Sequence, residues 1–343
     1  MFTNSALIFS RKVIGLLFKF KTKNTLRIKK YNQINILFNQ QHDRVIRDYY
    51  LYCLELIIQK ITYLDCCCNI ILGKYSYRFN NPYPTIRIDF QIEHTLVKPG
   101  GRSTEKAKTG VVPISGMITT NYLVRIENYN YLKNLDIVID YSRPNFINIH
   151  KSGEYETFAK KLFLIAPLLY DVKKGLAKTQ RHLEVITLFG NPNEPRRKSF
   201  LNNLELNGIN YKNINNHFSD IDLLYRNTKI LINIRQTDHH DTLEELRVLP
   251  ALRCGTIVIS EIAPLKEATG YSRFILWSNL EDLPNLVKEV LKNYDSYHQK
   301  IFSGETFTRR MKRLELRNEI IATRIGNRIK EIALSPPLKA QNV

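Results

Sequence analysis

The 343-residue chain contains no apolar run approaching the roughly 20 residues that cross a bilayer, so a membrane-spanning helix is excluded from the reading. Its five cysteines, Cys53, Cys66, Cys67, Cys68 and Cys254, form no C-x-x-C pair and no Cys/His zinc spacing. That argues against a metal-stapled or disulfide-framed fold. It fits reduced thiols in a cytoplasmic compartment, with the triplet buried as small apolar side chains. There is no G-x-G-x-x-G, so the dinucleotide fingerprint is absent. There is also no short-period repeat, helix-turn-helix, zinc finger or RNP-like aromatic sheet. The first thirty residues hold eight Lys or Arg and no acid, and Arg11 and Lys12 interrupt their short apolar pieces. A cleavable signal peptide is therefore not expected. This leader reads either as a solvated arm or as a peripheral contact with an anionic membrane.

The hydrophobic fraction, 43%, is that of an ordinary globular protein, and the length suits two domains better than one core. The formal charge of +19 predicts attraction to phosphate groups. Strands are expected at 33–39, 66–73, 85–97, 122–129 and 135–142, with a helix over 43–61. The 85–97 run alternates through Ile86, Ile88, Phe90 and Ile92. A polar stretch after Asp171 reads as a linker, and the same grammar then restarts. Strands are expected at 182–190, 211–216, 230–236, 256–260 and 273–278. Helices are expected at 195–208, at 219–229 with Ser219 as cap, from about Asp241 to Cys254, at 280–301 and at 308–334. This alternation predicts an α/β protein of two doubly wound, Rossmann-like domains facing a cleft. The expected division is a basic leader over 1–30, domains over 31–175 and 176–305, and a C-terminal helix and tail over 306–343.

Three stretches can carry chemistry. In LFGNPNEPRRKSFL a strand ends at Gly190, a turn with Asn191 follows, and a helix opens with Arg196 and Arg197 in its first turn. Helix N-termini at strand ends hold phosphates, and two arginines there are disfavoured by the helix dipole unless an anion is near. The alternative is that both point into water. In HHDTLEELRVLPALRCGTIVISE, Glu244 and Glu245 fall in the first helical turns, with Asp238, His239 and His240 in the loop before them. A well-capped core helix explains the carboxylates and the Gly255 stop. Carboxylates that accept ribose or sugar hydroxyls explain them as well. In IEHTLVKPGGR, Glu93 and His94 are candidate general bases on opposite faces of a regular strand. Lys98, Gly100 and Gly101 form a basic loop that suits an acceptor or a phosphate. Asp140, at the end of a further strand, is a candidate to line the same crevice, and Trp277 and the tyrosines of 122–141 could stack on sugar rings.

The segments TLEELRVLPALRCGTIVISEIAPLKE and YSRFILWSNLEDLPNLVKEVL resemble the C-terminal nucleotide-sugar domain of GT-B glycosyltransferases of the family 1/4 type, over about residues 182–300. The resemblance implies glycosyl transfer from a nucleotide-sugar to a glycan, lipid or protein acceptor, without a metal or a further cofactor. It implies donor contacts from Gly190, Asn191, Arg196, Arg197, Glu244, Glu245, Arg247, Gly255 and Thr256, with Gly255 admitting the ligand close to the backbone. It implies an acceptor cleft near Lys98, Gly100, Gly101, Asp238, His239 and His240, with His94 or Glu93 as base. The sequence departs from the family where a second glutamate is usual, at Pro250, and Arg247 is the candidate to take over part of that contact. The competing readings are a basic nucleic-acid-binding protein, for which no motif is present, a non-catalytic GT-B domain, and a sugar-nucleotide epimerase.

Overall fold

Four apolar runs, INILFN, CNIIL, TIRIDFQ and IVID, build the first sheet as β2 (Ile34–Asn39), β3 (Cys68–Leu72), β4 (Thr85–Gln91) and β7 (Ile137–Asp140). The computed structural model describes residues 26–39, 46–100, 122–153, 155–176, 180–215, 220–239 and 241–335. These four strands and β8 (Leu162–Leu164) run parallel, in the spatial order of the sequence. Residues 26–30, assigned to the leader above, instead lie within β1 (Leu26–Tyr31), which pairs antiparallel on the edge of β2. Both faces are covered. Ile86, Ile88, Phe90, Ile137 and Ile139 pack against Tyr49, Tyr50 and Ile57 of α1 (Arg47–Ile61). Val138 points the other way, toward Ile149 of α2 (Arg143–Ser152) and Phe158.

The expected strand over 85–97 does not continue unbroken. It stops at Gln91 and resumes as β5 (Leu96–Val97), which pairs with β6 (Leu123–Val124). Glu93 and His94 therefore lie in the break, and the opposite-face argument does not apply to them.

The second sheet is entirely parallel: β9 (Leu183–Thr187), β10 (Tyr211–Asn213), β11 (Thr228–Asn233), β12 (Ile257–Glu261) and β13 (Ile275–Ser278). Its order, β10-β9-β11-β12-β13, reverses between β9 and β11. This is the flavodoxin-like doubly wound order, and such sheets bind ligands outside the carboxyl ends of the two strands at the reversal. The first sheet has no such reversal, so the two α/β units share a layer architecture and differ in winding. The helices after β9 and β10 are α3 (Pro195–Leu206) and α4 (Ile221–Arg226). Ser219, expected to cap the latter, lies outside the described residues. The helix expected from Asp241 begins only at Glu245, as α5 (Glu245–Arg253). The long helix expected over 280–301 breaks at Asn293 into α6 (Leu283–Lys292) and α7 (Tyr294–Phe302).

The last helix, α8 (Glu305–Leu334), joins both cores. Phe307, Met311 and Leu314 pack with the second sheet, and Ala322, Ile325 and Ile329 with the first. Where it crosses over, buried Asn318 accepts from the Ala166 N–H at 3.0 Å and donates to the Ala166 carbonyl at 2.8 Å. Of the cysteine triplet, Cys66 and Cys68 are buried and Cys67 between them is half-exposed; all five cysteines are free. Among the described residues no helix is long and apolar enough to cross a membrane.

Candidate functional site

The carboxyl ends of β4 and β7 meet the carboxyl ends of β9, β11 and β12, and charged side chains from both sheets fill the junction. His94 Nε2 lies 2.5 Å from Glu244 Oε1, and its Nδ1 contacts the Thr242 hydroxyl. Burial works against the imidazolium, but the Glu244 carboxylate outweighs it and raises the His94 pKa. Burial also works against the Glu244 anion. There the charges of His94 and Arg247, and then Arg197, prevail and hold the carboxyl well below its usual range. The raised His94 value and lowered Glu244 value favour the charged pair, and with Nε2 against Glu244 and Nδ1 against Thr242 both ring nitrogens are engaged, leaving none free to take a proton from an acceptor hydroxyl. The base role expected of His94 does not fit this geometry. Glu93 is exposed, and its backbone carbonyl accepts from Gln91 at 2.6 Å and Asn145 at 3.3 Å.

Arg197 does not point into water. It is 3% exposed, its guanidinium lies 4.7 Å from the centre of the Phe189 ring, and among the described residues its Nε has no hydrogen-bond partner. Burial, followed by repulsion from Arg247, lowers its pKa to about 10. A guanidinium buried with a second one nearby and an unsatisfied donor costs several kcal/mol, which a bound anion would offset. Gly190 and Asn191 form the open turn before it. Both are exposed, and no atom lies within 4 Å of the position a Cβ on Gly190 would take.

Arg196 turns the other way. It holds Glu261 through both terminal nitrogens, at 2.9 and 2.5 Å, and Asp238 through Nε at 2.6 Å. Arg235 bridges Glu261 and Asp241, Tyr122 donates to Asp241, and Lys98 Nζ stands 3.5 Å from the same carboxylate. The Lys98 N–H also donates to the His239 carbonyl at 2.9 Å, tying β5 to the loop after β11. Gly100 is exposed, with open space where a Cβ would be, while Gly101 and His240 lie outside the described residues.

Three expected donor contacts are not brought to this junction. Gly255 and Thr256 precede β12, at the sheet edge opposite Glu261. A Cβ on Gly255, whose φ is +73°, would lie 2.6 Å from both Arg181 Nη2 and the Gly175 carbonyl. Thr256 is buried and donates to the Tyr225 carbonyl at 2.6 Å. The Cys-Gly stop thus serves the close packing of α5 against the segment after the first sheet, where Arg181 donates to the carbonyls of Tyr225, Thr228, Gly175 and Cys254. Glu245 is one helical step from Glu244 and faces away from it, 2% exposed, accepting from the Tyr271 hydroxyl at 2.6 Å.

Sequence reasoning passed over Glu261, Arg235 and Asp241. A signal for the first was present. IVISE, like IVID before it, ends a buried strand on an acid, and both acids, Glu261 and Asp140, are buried. Asp140 Oδ1 accepts from the Ser142 N–H at 2.7 Å and from Asn145 Nδ2 at 3.2 Å, while Oδ2 has no hydrogen-bond partner among the described residues. Burial first, only partly offset by these bonds, pushes its pKa well up. Trp277 is half-buried, its Nε1 donating to the Ser272 carbonyl at 2.9 Å. Among the described residues no cluster of His, Cys, Asp and Glu has the arrangement of a metal site.

No family model matches the chain. A protein named uncharacterized protein R358, from Acanthamoeba polyphaga mimivirus, is 32% identical over 112 residues. That match spans 32% of this chain and 40% of the relative. A solved structure of a trehalose-6-phosphate synthase, from work on glycosyl transfer with retention, aligns over 98% of both chains at 10% identity with a TM-score of 0.40.

Proposed function

We propose that the chain is a GT-B-type glycosyltransferase, with a nucleotide-sugar held at the carboxyl edge of the second sheet and an acceptor presented by the first. In this reaction the bond from the anomeric carbon to the diphosphate breaks and a bond to an acceptor oxygen forms. The acceptor hydroxyl loses its proton, and negative charge develops on the departing diphosphate. The reading is supported above all by Arg197, a buried guanidinium with an unsatisfied donor beside Arg247, at the point where the order of the second sheet reverses.

Arg197 and Arg247 would stabilise the departing diphosphate, with Gly190 and Asn191 leaving it room to enter. Glu244 would accept hydroxyls of the ribose or the sugar. His94, as an imidazolium, would donate a hydrogen bond to the donor across the junction, and Glu93, exposed beside it, becomes the candidate base. Lys98 and Gly100 would border the acceptor, whether glycan, lipid or protein. Arg196, Asp238 and Glu261 are bonded to one another and would hold the cleft in shape without meeting the ligand.

The test is thermal stability of the purified chain against UDP-, GDP-, ADP-, CMP- and dTDP-sugars, with R197Q alongside. A ligand that binds only the folded protein raises its melting temperature by mass action. Stabilisation by one donor class, lost in R197Q, supports the reading. No response to any donor, together with salt-sensitive binding to RNA or DNA, would replace it with a nucleic-acid-binding function.

A further inference from the structure

The outer face of α8 is charged unevenly along its length. Its acids are all engaged. Near the two ends, Glu305 lies 3.3 Å from Arg309 and Glu331 3.2 Å from Arg328. In the middle, Glu315 turns to buried Arg253 of α5 at 2.9 Å, and Glu319 pairs with Lys60 of α1. Between those ends, Arg310, Lys312, Arg313, Arg317 and Arg324 have no ion-pair partner among the described residues. Arg310, Arg317 and Arg324 are spaced by seven and so form one row along the helix.

Beside that row the same face carries Leu316 and Ile320, one helical turn apart and 62% and 55% exposed. The packing of α8 does not use them, because Phe307, Met311, Leu314, Ala322, Ile325 and Ile329 supply its buried side. Cations alone fit any polyanion, and on that count a nucleic acid would serve as well. The two aliphatic side chains decide between them. A phosphate backbone rewards the charges and gains nothing from exposed leucine or isoleucine. The interface of an anionic bilayer rewards both, taking the side chains among its headgroups and the cations against its phosphates. From Arg310 to Arg324 the helix is unbroken and about 22 Å long, so these groups meet a flat surface together.

We infer that this face of α8 docks on an anionic lipid bilayer, with Leu316 and Ile320 entering the headgroup region and Arg313, Arg317 and Arg324 against lipid phosphates. The contact is peripheral and reversible, since two aliphatic side chains and a few charges fall far short of a spanning helix. Neither Arg197 nor Glu244 takes part, and the surface does not depend on the glycosyl-transfer reading.

The experiment is sedimentation of the full chain with vesicles of phosphatidylcholine alone and of phosphatidylcholine mixed with phosphatidylserine, at physiological ionic strength. Wild type should partition to the mixed vesicles and leave the neutral ones. R313Q/R317Q should bind the mixed vesicles about thirtyfold more weakly, each cation near the surface contributing about fivefold. L316N/I320N leaves the charge unchanged and should still weaken binding about tenfold or more. All four positions are exposed, so both variants should keep the wild-type melting temperature. Residues 1–25 are the same in every variant, so any contribution from the basic leader cancels in the comparison. No partition to the mixed vesicles, or undiminished partition in either variant, would overturn the surface. Unchanged vesicle binding by L316N/I320N, beside salt-sensitive RNA binding that R313Q/R317Q loses, would overturn it in favour of a nucleic-acid face.

Discussion

His94 and Glu244 meet at 2.5 Å although one follows a strand of the first sheet and the other precedes a helix of the second. Each raises the cost of moving the other away, so the pair acts as a clasp between the two units. It also occupies the atoms that a ligand would use. A donor or acceptor entering between the sheets has to take over these bonds, and the groups it meets are already charged and oriented. Asp238, Glu261 and Asp241 do the same for Arg196 and Arg235 at the neighbouring strand ends. Arg197 adds its charge near Glu244 but forms none of these close pairs, which is why it carries the functional reading.

The clasp has a pH signature. His94 has a raised pKa, so its contribution is complete below the ordinary histidine value of about 6.5 and is lost as pH rises through the higher folded value. Glu244 has a lowered pKa, so its contribution is complete above the ordinary value of about 4.5 and is lost only at strongly acid pH. Urea denaturation should show H94Q losing about 1–3 kcal/mol relative to wild type at pH 5.5, and much less at pH 8.5. Equal losses at both pH values would mean that the pair is not charged.

Arg197 should separate stability from binding. R197M removes a buried charge with an unsatisfied donor while keeping the stem that packs against Phe189. In the absence of ligand it should be neutral or more stable by about 1–2 kcal/mol. The same variant should lose nucleotide-sugar binding. A strongly destabilised R197M would instead make Arg197 part of the scaffold.

The α/β class and most strand positions could be read from the sequence because buried parallel strands are continuous runs such as INILFN and IVISE, bounded by polar turns. The break at Ile92–Thr95 could not. Ile92 keeps the alternation going, and the chain leaves the sheet there because Asn145 and Gln91, distant or pointing inward, take the Glu93 carbonyl. The role of α8 was equally hidden. Its apolar spacing shows an amphipathic helix, but which core each third covers depends on contacts far along the chain. At the site, Arg196 and Arg197 are adjacent and identical in type. Only the fold shows that one is bonded to acids while the other is buried beside Phe189.

Gly255 should prove structural. With φ at +73° and a Cβ position 2.6 Å from the Gly175 carbonyl, G255A strains the backbone and displaces Arg181 from the carbonyls it holds. A loss of about 2–4 kcal/mol is expected by chemical denaturation, with the donor affinity of the folded protein unchanged. A folded G255A with weakened donor binding and intact stability would return this glycine to the ligand site.

Glu245 gives a pH dependence on stability that comes from a different source than the clasp. Burial is the main cause that raises its pKa to about 7, with hydrogen bonds from Tyr271 and Ser142 only partly offsetting it. Between the ordinary glutamate value near 4.5 and about 7, the folded protein binds the proton that the unfolded chain has released, so stability falls as pH rises across that window, by about 3 kcal/mol at most. Above it no further loss comes from this group. E245Q keeps an acceptor for Tyr271 and carries no charge, so from about pH 5 to 6.5, below the range in which the clasp weakens, its stability should stay flat where the wild type declines. The two sources separate by variant, because H94Q leaves the Glu245 decline in place and E245Q leaves the clasp. If wild type and E245Q fall in parallel over that range, Glu245 is ionised throughout and its burial does not set its charge.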